Sequence, residues 1–364
     1  MTKLHELAKL GQAVWIDYIK RSFITSGGLQ NWIDQGARGV TSNPTIFDRA
    51  ISGSSDYDAD LQRLARTSLT TEEIYEALAL EDIARAAELL RPVYEATQGL
   101  DGYVSLEVSP KLAHDTAGTI AEARRLFTTL ARPNVLIKVP ATPAGLPAIQ
   151  ALIGEGINVN VTLIFSLEQY EAVAEAYISG LEKRAAAGQE LGRVASVASL
   201  FVSRLDTAVD RELEQLGRAD LQGKAAVANA KMVYARFKEL FGGERWQRLA
   251  RLGARVQRPL WASTGTKNPC YSDTLYVDSL IGPDTVNTMP PETLQAFLDH
   301  GRVALTVEEG LEEARAHLAL LADVGVDLPA IMQRLQDEGV AAFAKSFDSL
   351  LASIAAKREQ LRRG

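Results

Sequence analysis

The sequence is poor in the side chains that build metal and redox sites. It has one cysteine, Cys270, in 364 residues, which excludes a disulfide framework and a cysteine metal site. Its four histidines, His5, His114, His300 and His317, lie far apart, and none has a metal-ligand spacing. No metal and no cofactor is expected. No apolar run of ~18 residues occurs, and the N-terminal stretch has no signal-peptide core. The expected location is the cytoplasm, with no membrane partner. There is no long basic run and the net charge is −7, which argues against a general nucleic-acid binder. An anionic substrate would need a local cluster of Arg and Lys. Linkers, composition shifts and low-complexity tracts are also missing. What remains, 46% hydrophobic and 23% charged residues, is an ordinary soluble globular composition and reads as one domain over 1–364.

The stretch that stands out is Asn134-Val-Leu-Ile-Lys138-Val-Pro-Ala-Thr142. It sets a lysine inside a run that predicts a strand buried on both faces. An ammonium there loses hydration, so it takes a partner or gives up its proton. A neutral lysine attacks carbonyls. A lysine at a strand mouth, paired with a carboxylate for structural reasons, is the other reading of these residues.

Further strands are predicted at 13–19, 39–46, 102–109, 157–165, 194–202, 258–264 and 284–289. Helices are predicted between them. One is capped by Thr25-Ser26 and stops at Gly36. Capping boxes at Thr70–Glu73 and Ser166–Gln169 open two more, to about 97 and 187. Others cover 115–131, 146–153, 206–216 and 223–241, and Pro290-Pro291 starts another. Residues 47–69 read as a surface loop with at most a short helix, and 303–306 as an extra extended piece. Strand and helix alternation implies a parallel sheet. Eight such units suit a (β/α)₈ TIM barrel. A short N-terminal helix (1–12) precedes the barrel (13–300), and a C-terminal helical extension (301–364) follows it, with helices at about 307–323 and 328–358. A doubly wound open sheet is the alternative, but no Gly-x-Gly-x-x-Gly turn follows an early strand.

Barrel enzymes place their reacting groups at the C-terminal ends of the strands. The polar residues at the predicted strand ends are Asp17, Asn43, Glu107, Lys138, Asn160, Thr162, Ser199, Arg204 and Lys267. No histidine is among them, so proton transfer falls to carboxylates. One buried amine with two carboxylates suits Schiff-base chemistry on a carbonyl. Asp17 and Glu107 are candidates for the base that drives carbon–carbon cleavage and for the acid that expels water.

These motifs resemble those of the transaldolase family. The resemblance rests on Trp15-Ile-Asp17, Gly39-Val-Thr-Ser-Asn43-Pro-Thr-Ile-Phe47, Val104-Ser-Leu-Glu107-Val, Ile137-Lys138-Val-Pro-Ala-Thr142 and Asn160-Val-Thr162-Leu-Ile-Phe-Ser166. It covers nearly the whole chain, with the last four strands fitting more loosely. The length, and additions such as Asp337-Glu-Gly-Val-Ala-Ala-Phe-Ala-Lys-Ser-Phe-Asp348, resemble the long bacterial form.

The resemblance implies transfer of a dihydroxyacetone unit from fructose 6-phosphate or sedoheptulose 7-phosphate to erythrose 4-phosphate or glyceraldehyde 3-phosphate, in the pentose phosphate pathway, by a monomer or homodimer. It implies that Lys138 forms the Schiff base, that Asp17 is the cleavage base, and that Glu107 and Thr162 hold a catalytic water. Asn43 and Asn160 would bind hydroxyls of the three-carbon unit. Ser199 and Arg204 would match the family's Ser-x-Phe-Val-x-Arg, with Arg204 on the phosphate. The sequence departs from the shorter form at Leu200 and Ser203, and Lys267 stands where that form has a second phosphate-binding Arg. Lys267 is equally readable as a surface-loop lysine. Cys270 is expected to be a packed thiol rather than a redox handle. A fructose 6-phosphate aldolase that releases free dihydroxyacetone, and a catalytically silent barrel serving as a binding module, are the competing readings.

Overall fold

The computed structural model describes residues 1–363. Helix α1 (Lys3–Lys9) leads into strand β1 (Gln12–Ile16), followed by α2 (Arg21–Thr25) and α3 (Gly28–Asp34). Then come β2 (Gly39–Val40), α4 (Pro44–Ser52), α5 (Asp58–Ala65), α6 (Thr71–Ala96), β3 (Tyr103–Glu107), α7 (Thr116–Leu130) and β4 (Val135–Pro140). The chain continues through α8 (Gly145–Glu155), β5 (Val159–Ile164), α9 (Leu167–Ala186), β6 (Ser196–Phe201), α10 (Ser203–Gln215), α11 (Ala225–Gly242) and α12 (Glu244–Arg251). It ends with β7 (Arg258–Ala262), α13 (Leu275–Asp278), β8 (Thr285–Met289), α14 (Pro291–His300), α15 (Leu311–Asp323) and α16 (Leu328–Arg363). The eight strands pair in parallel and in sequence order, and β8 closes on β1. This is the (β/α)₈ barrel expected from the alternation.

Local chemistry sets several boundaries as expected. The Glu73 N–H donates to Thr70 Oγ1 (3.2 Å), and the Thr70 N–H donates to Glu73 Oε2 (2.7 Å). Ser166 and Gln169 make the same reciprocal pair, at 3.1 and 3.2 Å. Each box satisfies N–H groups that an open helix end would leave unpaired. Every residue of β4 is buried, as its apolar run predicts.

Other expectations are corrected. The second strand is only two residues long. Beyond it, Asn43 accepts from the Ile46 N–H at 2.9 Å and caps α4, with Pro44 at N1. The segment read as a loop at 47–69 is therefore mostly helix, since α4 and α5 bury Phe47, Ala50, Ile51, Leu61 and Leu64. Apolar spacing, rather than polar content, governs there. Thr25 and Ser26 do not cap the start of a helix. They end α2, and Gly27 in the left-handed region starts α3. Residues 303–306 form no strand, α15 starts only at Leu311, and α12 was not anticipated. Cys270 is exposed, not packed, because it falls in the exposed run 267–270 of its loop.

The C-terminal helix crosses the barrel mouth. On α16, Gln336 is buried and donates to the carbonyls of Ala141 and Leu163, both at 3.0 Å. Ser346 meets Thr45 (2.8 Å), and Lys357 donates to the Ile51 and Ser54 carbonyls at 2.9 and 2.7 Å. By length and composition, Leu328–Gln360 is the one helix among the described residues that could cross a membrane. Here Ile331, Leu335, Phe343, Phe347, Leu350 and Ile354 are buried within the protein.

At the centre of the barrel, Gly39 lies against Trp15. A Cβ at Gly39 would fall 2.6 Å from the indole, well inside van der Waals contact, and both residues are buried. Overpacking of this kind costs ~1–3 kcal/mol. Gly39→Ala should lower the urea midpoint accordingly, with an unchanged m-value. An unchanged midpoint would show that the Trp15 ring can move aside.

Candidate active site

Strand register brings the polar residues together. Glu107 pairs with Lys138 across β3 and β4, and Lys138 pairs with Asn160 across β4 and β5. Alternation along each strand then points these side chains into the barrel. Lys138 opens onto a pocket of about 270 Å³ at the carboxyl ends of the strands. Seven of the nine candidate residues line it: Asp17, Asn43, Lys138, Thr162, Ser199, Arg204 and Lys267. Glu107 and Asn160 stand behind its wall.

Lys138 is almost wholly buried. Its ammonium lies 3.4 Å from Glu107 Oε2, with the two side chains 6% and 4% exposed. It donates to the Ser42 carbonyl at 3.2 Å. The approach to Glu107 is an ion pair without hydrogen-bond alignment, and that oxygen has no hydrogen-bond partner among the described residues. Phe343 of α16 covers the ammonium, its ring centre 5.6 Å away. Of the two outcomes open to a buried lysine, this one has a partner.

Asp17 follows the last residue of β1, and its N–H donates to the Met289 carbonyl at 2.8 Å. Thr41 Oγ1 donates to Asp17 Oδ1 at 2.7 Å, and Thr41 in turn meets Thr288 at 2.6 Å. Burial pushes Asp17 above the usual carboxylate range, while Lys138, the Thr41 bond and Arg204 oppose that shift. Burial raises Glu107 as well, against the pull of Lys138 and with the added push of Asp17. Two carboxyls held above their ordinary range beside one amine are placed to accept and return protons.

Beside the lysine runs a short polar chain. Asn160 Nδ2 donates to Ser105 Oγ at 2.9 Å, and Ser199 Oγ donates to Asn160 Oδ1 at 2.7 Å. Asn160 is fully buried. Thr162 is buried too, and its hydroxyl has no hydrogen-bond partner among the described residues. It lines the pocket, so that hydroxyl is available to a water or a ligand. Asn43 has its carbonyl oxygen committed to the α4 cap.

The rim is cationic. Arg204 stacks its guanidinium over Phe201, 4.9 Å from the ring centre. Burial lowers its proton affinity, with Asp17 and Glu338 opposing. Arg204, Lys267 and Arg49 line the pocket, and none of the three side chains has a hydrogen bond or a carboxylate within ion-pair distance among the described residues. Arg49 was missed in the sequence because its stretch was read as a surface loop with at most a short helix. Glu292, Thr41 and Phe343 also line the site and were not singled out. Thr41 lies within a quoted motif, whereas Phe343 reaches the site only by tertiary packing. Among the described residues, no three or more His, Cys, Asp or Glu side chains gather as a metal-ligand set.

The fold and the pocket define a (β/α)₈ barrel whose mouth joins a buried amine to two carboxyls under a rim of cations. The chain belongs to the transaldolase/fructose-6-phosphate aldolase family, whose model matches residues 14–354. It is 51% identical over 353 residues to a transaldolase of Thiobacillus denitrificans, covering 96% of this chain and 98% of that protein. It is 51% identical over 357 residues to a transaldolase of Thermobifida fusca, covering 97% of each. A transaldolase 2 of a Nostoc species is 48% identical over 369 residues, again covering 97% of each.

Because the Thr41 bond holds Asp17 down against burial, Thr41→Val should move the Asp17 titration to higher pH. Carboxyl NMR of the labelled protein reads this directly. A titration that stays put, or moves down, would show that the bond does not act on the charged form.

Proposed function

We propose that the protein is a transaldolase that moves a dihydroxyacetone unit between sugar phosphates through a Schiff base on Lys138. The observation that carries this reading is the pairing of Lys138 with Glu107 at 3.4 Å at the wall of a pocket that Lys138 and Asp17 both line. The names of the relatives support it.

The amine must be free of its proton to attack the substrate ketone. Glu107 is the nearest carboxylate to take that proton, and its raised proton affinity suits the exchange. The addition product has a hydroxyl on the carbon bonded to Nζ. That hydroxyl leaves as water after receiving a proton, which forms the iminium. Thr162, whose hydroxyl has no partner among the described residues, and Glu107 hold that water. Asp17 then takes the proton of the hydroxyl on the departing carbon. The carbon–carbon bond breaks, the aldehyde leaves, and the electron pair is stored as an enamine. An acceptor aldehyde enters, the bond forms in reverse, and water releases the product ketose. Asn43 and Ser199, the latter held by Asn160, bind hydroxyls of the three-carbon unit. Arg204 and Lys267 bind the phosphate, and Arg49 adds a third cation. A guanidinium can bond two phosphate oxygens at once.

The candidate substrates are fructose 6-phosphate and sedoheptulose 7-phosphate as donors, with erythrose 4-phosphate and glyceraldehyde 3-phosphate as acceptors. The pathway is the pentose phosphate pathway, the location the cytoplasm, and the assembly a monomer or homodimer. The second reading is an aldolase that releases free dihydroxyacetone, which the family description also admits.

Incubation with fructose 6-phosphate and borohydride should fix a dihydroxyacetone-sized mass on Lys138. Absence of the adduct rules out the mechanism. Product formation should require an acceptor aldehyde, whereas release of free dihydroxyacetone without one selects the aldolase reading. Asp17→Ala should still be trapped by borohydride but turn over ~10²–10⁴-fold more slowly. Wild-type turnover excludes Asp17 as the base.

A further inference from the structure

Lys267 stands on the loop of residues 263–274 between β7 and α13. It is exposed, yet it lines the catalytic pocket. A long lysine on a loop grips an anion well only if its backbone is held, because ordering a flexible segment costs entropy. The base of the loop is fixed. Ser263, at φ 55°, meets the Ser203 hydroxyl at 2.9 Å, and Thr264 Oγ1 donates to Asn287 Oδ1 at 2.9 Å. Toward the tip, several bonds stay within the loop. Thr266 donates to the Ser272 carbonyl (2.8 Å), and Asn268 accepts from the Cys270 N–H (2.9 Å).

Tyr271 ties the tip to the barrel helices. Its hydroxyl donates to Asp210 Oδ2 at 2.7 Å. Asp210 Oδ1 accepts from the Gly223 N–H at 2.8 Å. The Tyr271 ring lies on Gly223, where φ is +71° and a Cβ would fall 2.7 Å from the ring. One turn earlier on α10 the arrangement repeats. Tyr276 donates to Asp206 Oδ2 at 2.8 Å, and Asp206 Oδ1 accepts from the Ala226 N–H at 2.7 Å. Burial pushes Asp206 up to about 6, so the bonds it receives work against the loss of its hydration. Two carboxylates four residues apart share one face of α10 and receive two phenols from the segment that follows Lys267. The same helix carries Arg204 in its first turn.

We propose that Tyr271–Asp210 and Tyr276–Asp206 form a two-rung clamp that sets Lys267 against Arg204, so that both cations hold one phosphate. The clamp thereby fixes the preference for phosphorylated over unphosphorylated acceptors. This rests on the reading of the site as a sugar-phosphate transferase. The four residues are positioning residues: they act through the loop backbone. Neither Tyr271 nor Asp210 lines the catalytic pocket.

The test is steady-state kinetics of Tyr271→Phe with an aldose phosphate and with the same aldose lacking phosphate. KM for the phosphorylated acceptor should rise about 5-fold, the worth of one hydrogen bond, with kcat and the unphosphorylated acceptor little changed. In a Lys267→Ala background the same substitution should add almost nothing, because the two act through one contact. Equal effects on both acceptors, an unchanged KM, or full additivity with Lys267→Ala overturns the clamp. Should Tyr271→Phe not fold, Asp210→Ala replaces it under the same criteria. If the wild-type chain shows no acceptor-dependent transfer, the functional reading fails. Calorimetry with inorganic phosphate then tests the clamp alone. Binding about 5-fold weaker in Tyr271→Phe supports it, and equal affinity overturns it.

Discussion

The ion pair between Lys138 and Glu107 is the constraint on which the mouth of the barrel depends. Both side chains are nearly dry. Removing one partner of such a pair leaves an uncompensated charge and costs ~3–5 kcal/mol. That is a large share of the ~5–15 kcal/mol that holds a domain together. The pair exists only in one register of β3 against β4. A slip by one residue would turn Lys138 toward the outer helices. Two buried asparagines at the far end of the strands oppose the slip. Asn134 donates to the Ala87 and Gly102 carbonyls, both at 2.8 Å. Asn158 donates to the Pro133 and Val135 carbonyls at 2.9 and 3.1 Å and accepts from the Ala195 N–H at 2.9 Å. The strand bases are thus pinned so that the strand ends can hold charges.

The pair also orders the charges above it. Burial raises both Asp17 and Glu107, and it lowers Arg204. Each group is displaced toward its neutral form, and each is restrained by a neighbour of opposite sign. The rim cations Arg49, Arg204 and Lys267 have no carboxylate within ion-pair distance among the described residues. On a chain of net charge −7, such a local surplus is a site for an anion, because the protein elsewhere repels one.

Much of this was legible in the sequence, for a definable reason. A barrel strand is a nearly continuous apolar run, so a polar residue in it is conspicuous. Lys138, Glu107, Asn160, Thr162 and Ser199 stand out this way, and the parallel order of the strands then puts them side by side. Lys267 and Arg204 were also singled out, and both line the pocket, though the contacts that hold the Lys267 loop were not. Its hold comes from Tyr271 and Asp210, 61 residues apart, which no local pattern connects. Arg49 was lost because α4 was read as loop, where Asn43-Pro44 signals a turn as strongly as a helix cap. Phe343 was invisible as a site residue because an aromatic in an amphipathic helix predicts burial without naming the surface it covers.

The path of α16 follows from an irregularity in β5. Pairing of β5 with β6 shifts register between Val161 and Ile164, and Leu163 has φ 60°. A bulge of this kind interrupts the ladder and re-aims its neighbours. Here the neighbour is Thr162, which faces the pocket. The interruption leaves the Leu163 carbonyl seeking a donor, and a buried carbonyl without one is costly. Gln336 supplies that bond and a second one to Ala141. Close approach of the helix needs a residue without a side chain at the crossing. Gly339 stands there, where a Cβ would fall 2.7 Å from the Leu163 side chain. One turn further along α16, Phe343 comes to lie over Lys138. The cation–π contact itself contributes only ~0.5–2 kcal/mol. Its larger effect is to keep water from the amine, which strengthens every charge interaction beneath it. The bulge that aims Thr162 therefore also fixes the helix that covers Lys138, so the C-terminal extension is part of the site.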